Sequence, residues 1–384
     1  MKVWKIYVKL QLAIFLLLLL AGCWDHREIT FSMYATSIGI DYKEDEYILY
    51  AQMLNFGNIG KLEGQSLEKK PIVIGTARGK TLTDAVFMLY RSEQIPVFWG
   101  HVTSVVFTKE ALQRVNFLEL SDSLSRYYAI RYNVWAYGTE SSIEELFNLS
   151  PFFGMSPYES ILMSPLDTYR QYSDIRPIYM FRFIANYLEP GRTAGLPQLT
   201  TNRTTWMEGG KESTQMMLGG EYFFHESQYK GKLGYEEGCG KRYLDKKMNR
   251  VPLTIYQGQE PVMTLVLHVQ DYKVNHTVKN GNVIYDLKLT VKGLIDEMGE
   301  NVTHSFIKNE IIKKMKKEIQ STFDKGLEIS ADVYNLNDTV YRYDHKTWQT
   351  YLKGKPPETT MQLGKIDIDV VIINSGKYKN RKNE

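Results

Sequence analysis

Residues 20–23 read Leu20-Ala21-Gly22-Cys23 and close an apolar run, Leu12 to Leu20, that follows a short basic start carrying Lys2, Lys5 and Lys9. A basic segment held on the cytoplasmic face, an apolar segment that enters the bilayer, and small residues just before a cysteine are the parts of a bacterial lipoprotein signal. The apolar run is too short to remain as a span. Residues 1–22 are therefore expected to be removed, leaving Cys23 first with a diacylglyceryl group on its thiol. Two acyl chains at about 0.8 kcal/mol per buried methylene hold a protein to a membrane where one chain is marginal. What remains must fold outside the cytoplasm, against a lipid surface.

The tether is short. From Cys23 to the first strand-like residue, Met33, the chain reads Trp-Asp-His-Arg-Glu-Ile-Thr-Phe-Ser, with no Gly/Ser-rich stretch. At roughly 3.4 Å per residue it reaches at most about 35 Å, so the folded body is expected close to the bilayer. Removal of the signal takes three of the 47 Lys and Arg and none of the 44 Asp and Glu, leaving 44 against 44. Such a balance gives nucleic acid no electrostatic purchase. Once Cys23 is lipidated, Cys239 has no partner for a disulfide, and stability must come from packing.

Alternation and spacing predict the elements. ATSIGIDY and YILYAQML flank Lys43-Glu44-Asp45-Glu46 and read as a β-hairpin with a four-residue turn. A strand at Pro71 to Thr76 precedes a helix that Thr81 can cap, with Asp84 three residues on. Strand Val102 to Phe107, helix Lys109 to Ser125 and strand Ile130 to Tyr137 continue a mixed order. Ser142 with Glu145, and Ser156 with Pro157, open further helices, and Ile178 to Leu188 reads as a buried helix. Gly, Thr, Pro and Asn then dominate from Glu189 to Gly220 with little periodicity. Strands follow at Glu221 to His225, Val251 to Tyr256, Val262 to Val274 and Val283 to Ile295, the last pair turned by Asn280-Gly281-Asn282. A helix from Thr303 to Phe323 carries Ile307, Ile311, Met315 and Ile319 at intervals of four; a second spans Ile329 to Tyr341. Lys365 to Asn374 reads as a strand buried on one face and partly on both.

The expected fold class is α+β, multidomain, with mixed and antiparallel β-sheets flanked by helices. The expected divisions are 1–22 signal peptide, 23–32 tether, 33–200 N-terminal α/β region with room for two subdomains, 201–220 linker, and 221–384 C-terminal α+β domain.

Candidate chemistry is sparse. Gly75-Thr-Ala-Arg-Gly79-Lys80-Thr81 lies between strand and helix like a phosphate loop, but has three residues between its glycines where backbone amides need four to wrap phosphates. It reads as a turn feeding the Thr81 cap. The seven histidines (His26, His101, His225, His268, His276, His304, His345) show no metal-ligand spacing, and no nucleophile motif is present. Asp367 and Asp369 read as the solvated face of a strand. Lys313, Lys314, Lys316 and Lys317 read as the wet face of a helix, with anionic lipid as the other use. No enzyme, cofactor or metal site is expected.

Cys23-Trp24-Asp25-His26-Arg27-Glu28-Ile29 resembles the start of the mature Ger(x)C proteins, the lipoprotein C subunits of bacterial spore nutrient-germinant receptors. Ser37-Ile-Gly-Ile-Asp41-Tyr42, Ala77-Arg78-Gly79-Lys80-Thr81 and Phe98-Trp99-Gly100-His101 resemble that family's N-terminal half in order and spacing. Lys232-Leu233-Gly234, the Lys-rich helix, the Asp332 segment, Trp348 and the Gly364 to Gly376 strand resemble its C-terminal half, although Asp332-Val333-Tyr334 has smaller apolar residues than the family often carries. The resemblance implies a non-enzymatic subunit of several α+β domains. It would lie on the outer face of the spore's inner membrane and work with an integral-membrane A subunit and a transporter-like B subunit in nutrient-triggered germination. Of the family's functional residues only the lipidated Cys23 carries over; Trp99 and His101 are further candidates. The other class that fits a lipidated exported chain is a solute-binding lipoprotein of an import system, which would have two doubly wound lobes and a flexible linker after the cysteine.

Overall fold

The computed structural model describes residues 4, 6, 7, 9–13, 15, 32–54, 72–126, 130–298 and 303–374. Cys23, the expected cleavage point and the expected tether up to Phe31 lie outside the described residues.

The N-terminal half is built on β1 (Met33–Lys43), β2 (Glu46–Leu54), β3 (Val73–Gly79), β4 (Val97–Phe98), β5 (Ser104–Thr108), β6 (Trp135–Thr139), β7 (Ile178–Tyr179) and β8 (Thr193–Asn202). Its helices are α1 (Leu82–Tyr90), α2 (Lys109–Arg114), α3 (Phe117–Arg126), α4 (Ile143–Asn148), α5 (Pro165–Gln171) and α6 (Met180–Leu188). A small ribbon, β9 (Met207–Glu208) and β10 (Lys211–Glu212), precedes β11 (Gln215–His225) and β12 (Gln228–Gly234). The main sheet runs β12-β11-β8-β6-β5-β1-β2-β3, with β4 beside β1 and β7 beside β6. Its centre, β1, β5, β6 and β8, is parallel and both edges are antiparallel.

The central strands are covered on both faces. Val105 and Phe107 of β5 join a core roofed by α1, α2, α3 and α6. Val106, between them, joins the opposite core with Ile143, Leu146 and Phe147 of α4. Period-two alternation thus disappears at the sheet centre, as expected where both faces pack against helices.

The second sheet, β13 (Val251–Gln257), β14 (Glu260–Lys279), β15 (Asn282–Met298) and β16 (Met361–Asn374), pairs in sequence order. The β15–β16 pair is parallel, the other two antiparallel. The connection to β16 passes through α7 (His304–Glu328), whose Ile307, Ile311, Met315 and Ile319 face the sheet's core, and α8 (Leu336–Tyr343).

Several expectations change in detail. The first hairpin turn has two residues, Glu44 and Asp45 at φ 55 and 61, with Lys43 and Glu46 paired as its last rung. The predicted helix Lys109 to Ser125 is two helices, because Val115 is extended. The segment around Ile178 enters as a strand, and α6 is amphipathic rather than buried, with Phe181 and Leu188 exposed. The predicted second C-terminal helix begins only at Leu336, because residues 329–335 turn and Asn335 is left-handed. Strand β16 is buried on one face only, Val371 and Ile373 being exposed.

The largest change concerns residues 201–220, expected as an irregular linker. They hold the end of β8, the β9–β10 ribbon and the start of β11, and β11 pairs with β8 along ten positions. Strands from both sides of the expected linker therefore share one sheet. Strand β11 also alternates between cores. Tyr222 and Phe224 enter the N-terminal one and Phe223 the C-terminal one, where Leu233 of β12 joins it.

Candidate functional site

A cleft of about 1020 Å³ lies where the two halves meet, walled by the Asp174 to Arg182 segment and α6 on one side and by the Lys241 to Lys247 turn and the start of α8 on the other. Arg242 is its most buried charge. It comes from a short 3-10 turn, Cys239–Leu244, drawn onto α7 by Gly240, whose N–H donates to Thr322 Oγ1 at 2.9 Å. A Cβ on Gly240 would lie 2.4 Å from the Glu318 carbonyl oxygen, so only glycine lets the backbone approach this closely. The guanidinium then reaches Asp174 at 3.3 Å and Glu318 at 2.9 Å, and the Tyr243 hydroxyl donates to Glu318 at 2.8 Å. Burial pushes the Asp174 carboxyl up to about 6, with Arg242 opposing the rise.

A second cluster closes the other end. Arg192, just before β8, reaches Asp338 at 2.9 Å and Asn186 at 2.7 Å, while the Thr193 N–H donates to Asn335 Oδ1 at 2.7 Å. The same Asp338 accepts from Arg342 Nε at 2.8 Å. Behind it Asp332 is fully buried. One of its oxygens accepts the Asn337 N–H at 2.7 Å, the other has no partner, and burial pushes its carboxyl up to about 6. Both clusters join residues of the N-terminal sheet region to α7 or α8 of the C-terminal one. Arg242 faces two carboxylates, and Asp338 faces two guanidinium groups. The geometry locks two halves; the Cys239 thiol, nearby, is pushed up to about 11 by burial.

The residues singled out in the sequence lie elsewhere. Gly79 packs against α1, where a Cβ would meet Ala85 N at 2.4 Å. Thr81 Oγ1 accepts the Asp84 N–H at 3.1 Å, and the Asp84 carboxylate accepts the Lys80 N–H at 3.1 Å. An aspartate thus holds the position a phosphate would need. Trp99 is core, its indole N–H donating to the Tyr90 hydroxyl at 2.6 Å. His101 lies edge-on to the Tyr34 ring at 4.9 Å. Asp369 pairs with Lys308 at 3.2 Å on the open face of β16, and Lys313, Lys316 and Lys317 lie on the wet face of α7. No group of three or more metal-ligating side chains is found among the described residues. Arg242, Asp174, Glu318, Arg192 and Asp338 were not legible in advance. They share no spacing motif, and buried ionic residues look in a sequence like exposed ones.

Comparison with known proteins covers both halves. Residues 25–201 match the spore germination protein N-terminal domain, and residues 219–376 match the spore germination B3/GerAC-like C-terminal domain. Spore germination protein KC of Bacillus subtilis (strain 168) is 23% identical over 94% of each chain. Spore germination protein B3 of the same organism is 22% identical over 96% of this chain and 98% of that one. The crystal structure of the GerBC protein superposes with a TM-score of 0.56 at 14% identity, covering 91% of this chain and all of that one.

Proposed function

The chain belongs to the Ger(x)C family of spore germination proteins, and from that premise we propose that it is the lipid-anchored C subunit of a nutrient germinant receptor. The observation that carries this reading is the order of parts: a lipidation signal ending at Cys23, then at once the two family domains over 25–201 and 219–376. The subunit acts by assembly, not catalysis. Anchored on the outer face of the spore's inner membrane, it joins integral-membrane A and B subunits and supports the response to nutrients. A solute-binding lipoprotein would need two doubly wound lobes, whereas the second sheet here is largely antiparallel and the two halves share β11.

Deletion of the gene should abolish or slow germination by the nutrients of its own receptor and leave non-nutrient triggers intact. Cys23→Ala should lose incorporation of radioactive palmitate, and the lipidated protein purified from dormant spores should bring membrane subunits with it. A deletion strain that responds normally to every nutrient, or a purification that recovers no membrane protein, overturns the reading.

A further inference from the structure

Chain entry and exposed aromatic residues coincide at one end of the main sheet. Strand β1 begins at Met33, where the tether arrives, and β4 lies beside it with Val97 opposite Met33 and Phe98 opposite Tyr34. Phe98 stacks on Tyr34 at 5.7 Å yet stays 40% exposed. At the same end β3 starts with Val73, opposite Met53 and hence level with Ala35, and 52% exposed. Helix α1 returns over β3 toward this end, with Leu89 against Gly75, and turns Phe87 (60% exposed) and Met88 (42%) outward. These side chains are braced from beneath: Phe87 meets Tyr90 at 6.2 Å, and Tyr90 meets Trp99 at 6.4 Å.

We propose that Val73, Phe87, Met88 and Phe98 form a membrane-contact face, seated in the interfacial layer of the bilayer that holds the Cys23 acyl chains. The inference rests on the lipid-anchored reading above and adds an orientation to it. Tether length favours this end of the sheet. From Cys23 to Met33 the chain reaches at most about 35 Å, and β1 itself rises about 34 Å from Met33 to Lys43. Another exposed apolar group, Phe153, Trp206 and Met207, lies beyond the C-terminal end of β8, at the Lys43 end of the sheet. It could touch the bilayer only if the body inverted on a fully stretched tether. The Met33 end needs no stretch, and Phe is among the side chains that bury at the headgroup and acyl-chain boundary.

The test uses the full lipidated protein with Cys239→Ser, reconstituted in vesicles of phosphatidylethanolamine and phosphatidylglycerol that carry a nitroxide-labelled lipid. A bimane label is placed at Met88→Cys in one sample and at Met207→Cys in another. The label at position 88 should be quenched at least twofold and that at 207 scarcely at all. Protein that floats with the vesicles while position 88 is quenched no more than 207 overturns this inference alone. Protein that does not float with the vesicles overturns the anchor reading and this inference with it.

Discussion

Asp332 shows what a single buried group contributes. Burial pushes its carboxyl from 3.8 to about 6, although the backbone N–H groups of Asn337, Leu336 and Tyr334 oppose the rise. The folded state therefore holds the proton more tightly than the unfolded chain. That contribution to stability is complete below about pH 4 and is lost as pH rises through about 6, worth at most about 3 kcal/mol for a shift of this size. Asn at this position keeps an acceptor for the Asn337 N–H and cannot ionise. Urea denaturation of the wild-type chain and of Asp332→Asn at intervals from pH 4 to 7 should show the variant gaining on the wild type across that window. A constant difference would refute the assignment. Arg242 is the opposite case, a charge whose burial is compensated by Asp174 and Glu318. Removing one member of such a network leaves the others uncompensated, so its members are unequal to their count.

At the scale of elements, glycine and capping residues decide where chain segments meet. The Glu44-Asp45 and Asn280-Gly281 pairs supply the positive φ that two-residue hairpins require, which sets the register of both long ribbons. Gly240 works by close approach. Its backbone lies against Glu318 and Thr322 of α7, and this contact delivers Arg242 to its carboxylates. Gly240→Ala must push the turn off the helix, at a cost of about 1–3 kcal/mol. Thermal denaturation should record the loss, with a control at Gly209→Ala, where a Cβ meets nothing within 4 Å but the φ of 58 carries its own strain. If Gly240→Ala costs no more than Gly209→Ala, the close approach has no energetic weight.

For the whole molecule, β11 is the decisive strand, because its alternate side chains serve different cores. Unfolding either core exposes one face of β11, so a chain beginning at Trp24 should unfold in urea as one cooperative transition. A fragment ending at Thr200 lacks Tyr222 and Phe224 and should not reach a cooperative fold. Two well-separated transitions, or a stably folded fragment, would show the halves to be independent. The sequence by itself determined what is local: the Thr81 and Ser142 caps, the amphipathic stripe of α7, the alternation of β16 and the Asn280-Gly281 turn. Each depends on residues a few positions apart, where periodicity and capping chemistry act. The sequence also carried the family resemblance, in strings that run from Cys23-Trp24-Asp25 to the Gly364 to Gly376 segment. Only the tertiary structure decided the rest. Gly138 and Thr139 of β6 find Gln198 and Leu199 of β8, and Arg242 finds Asp174 and Glu318 at separations of 68 and 76 residues. Composition made residues 189–220 look irregular because Gly, Pro and Asn carry weak strand preference alone. Pairing with neighbours and burial against two cores supply the free energy that orders them, and neither is written in any local window.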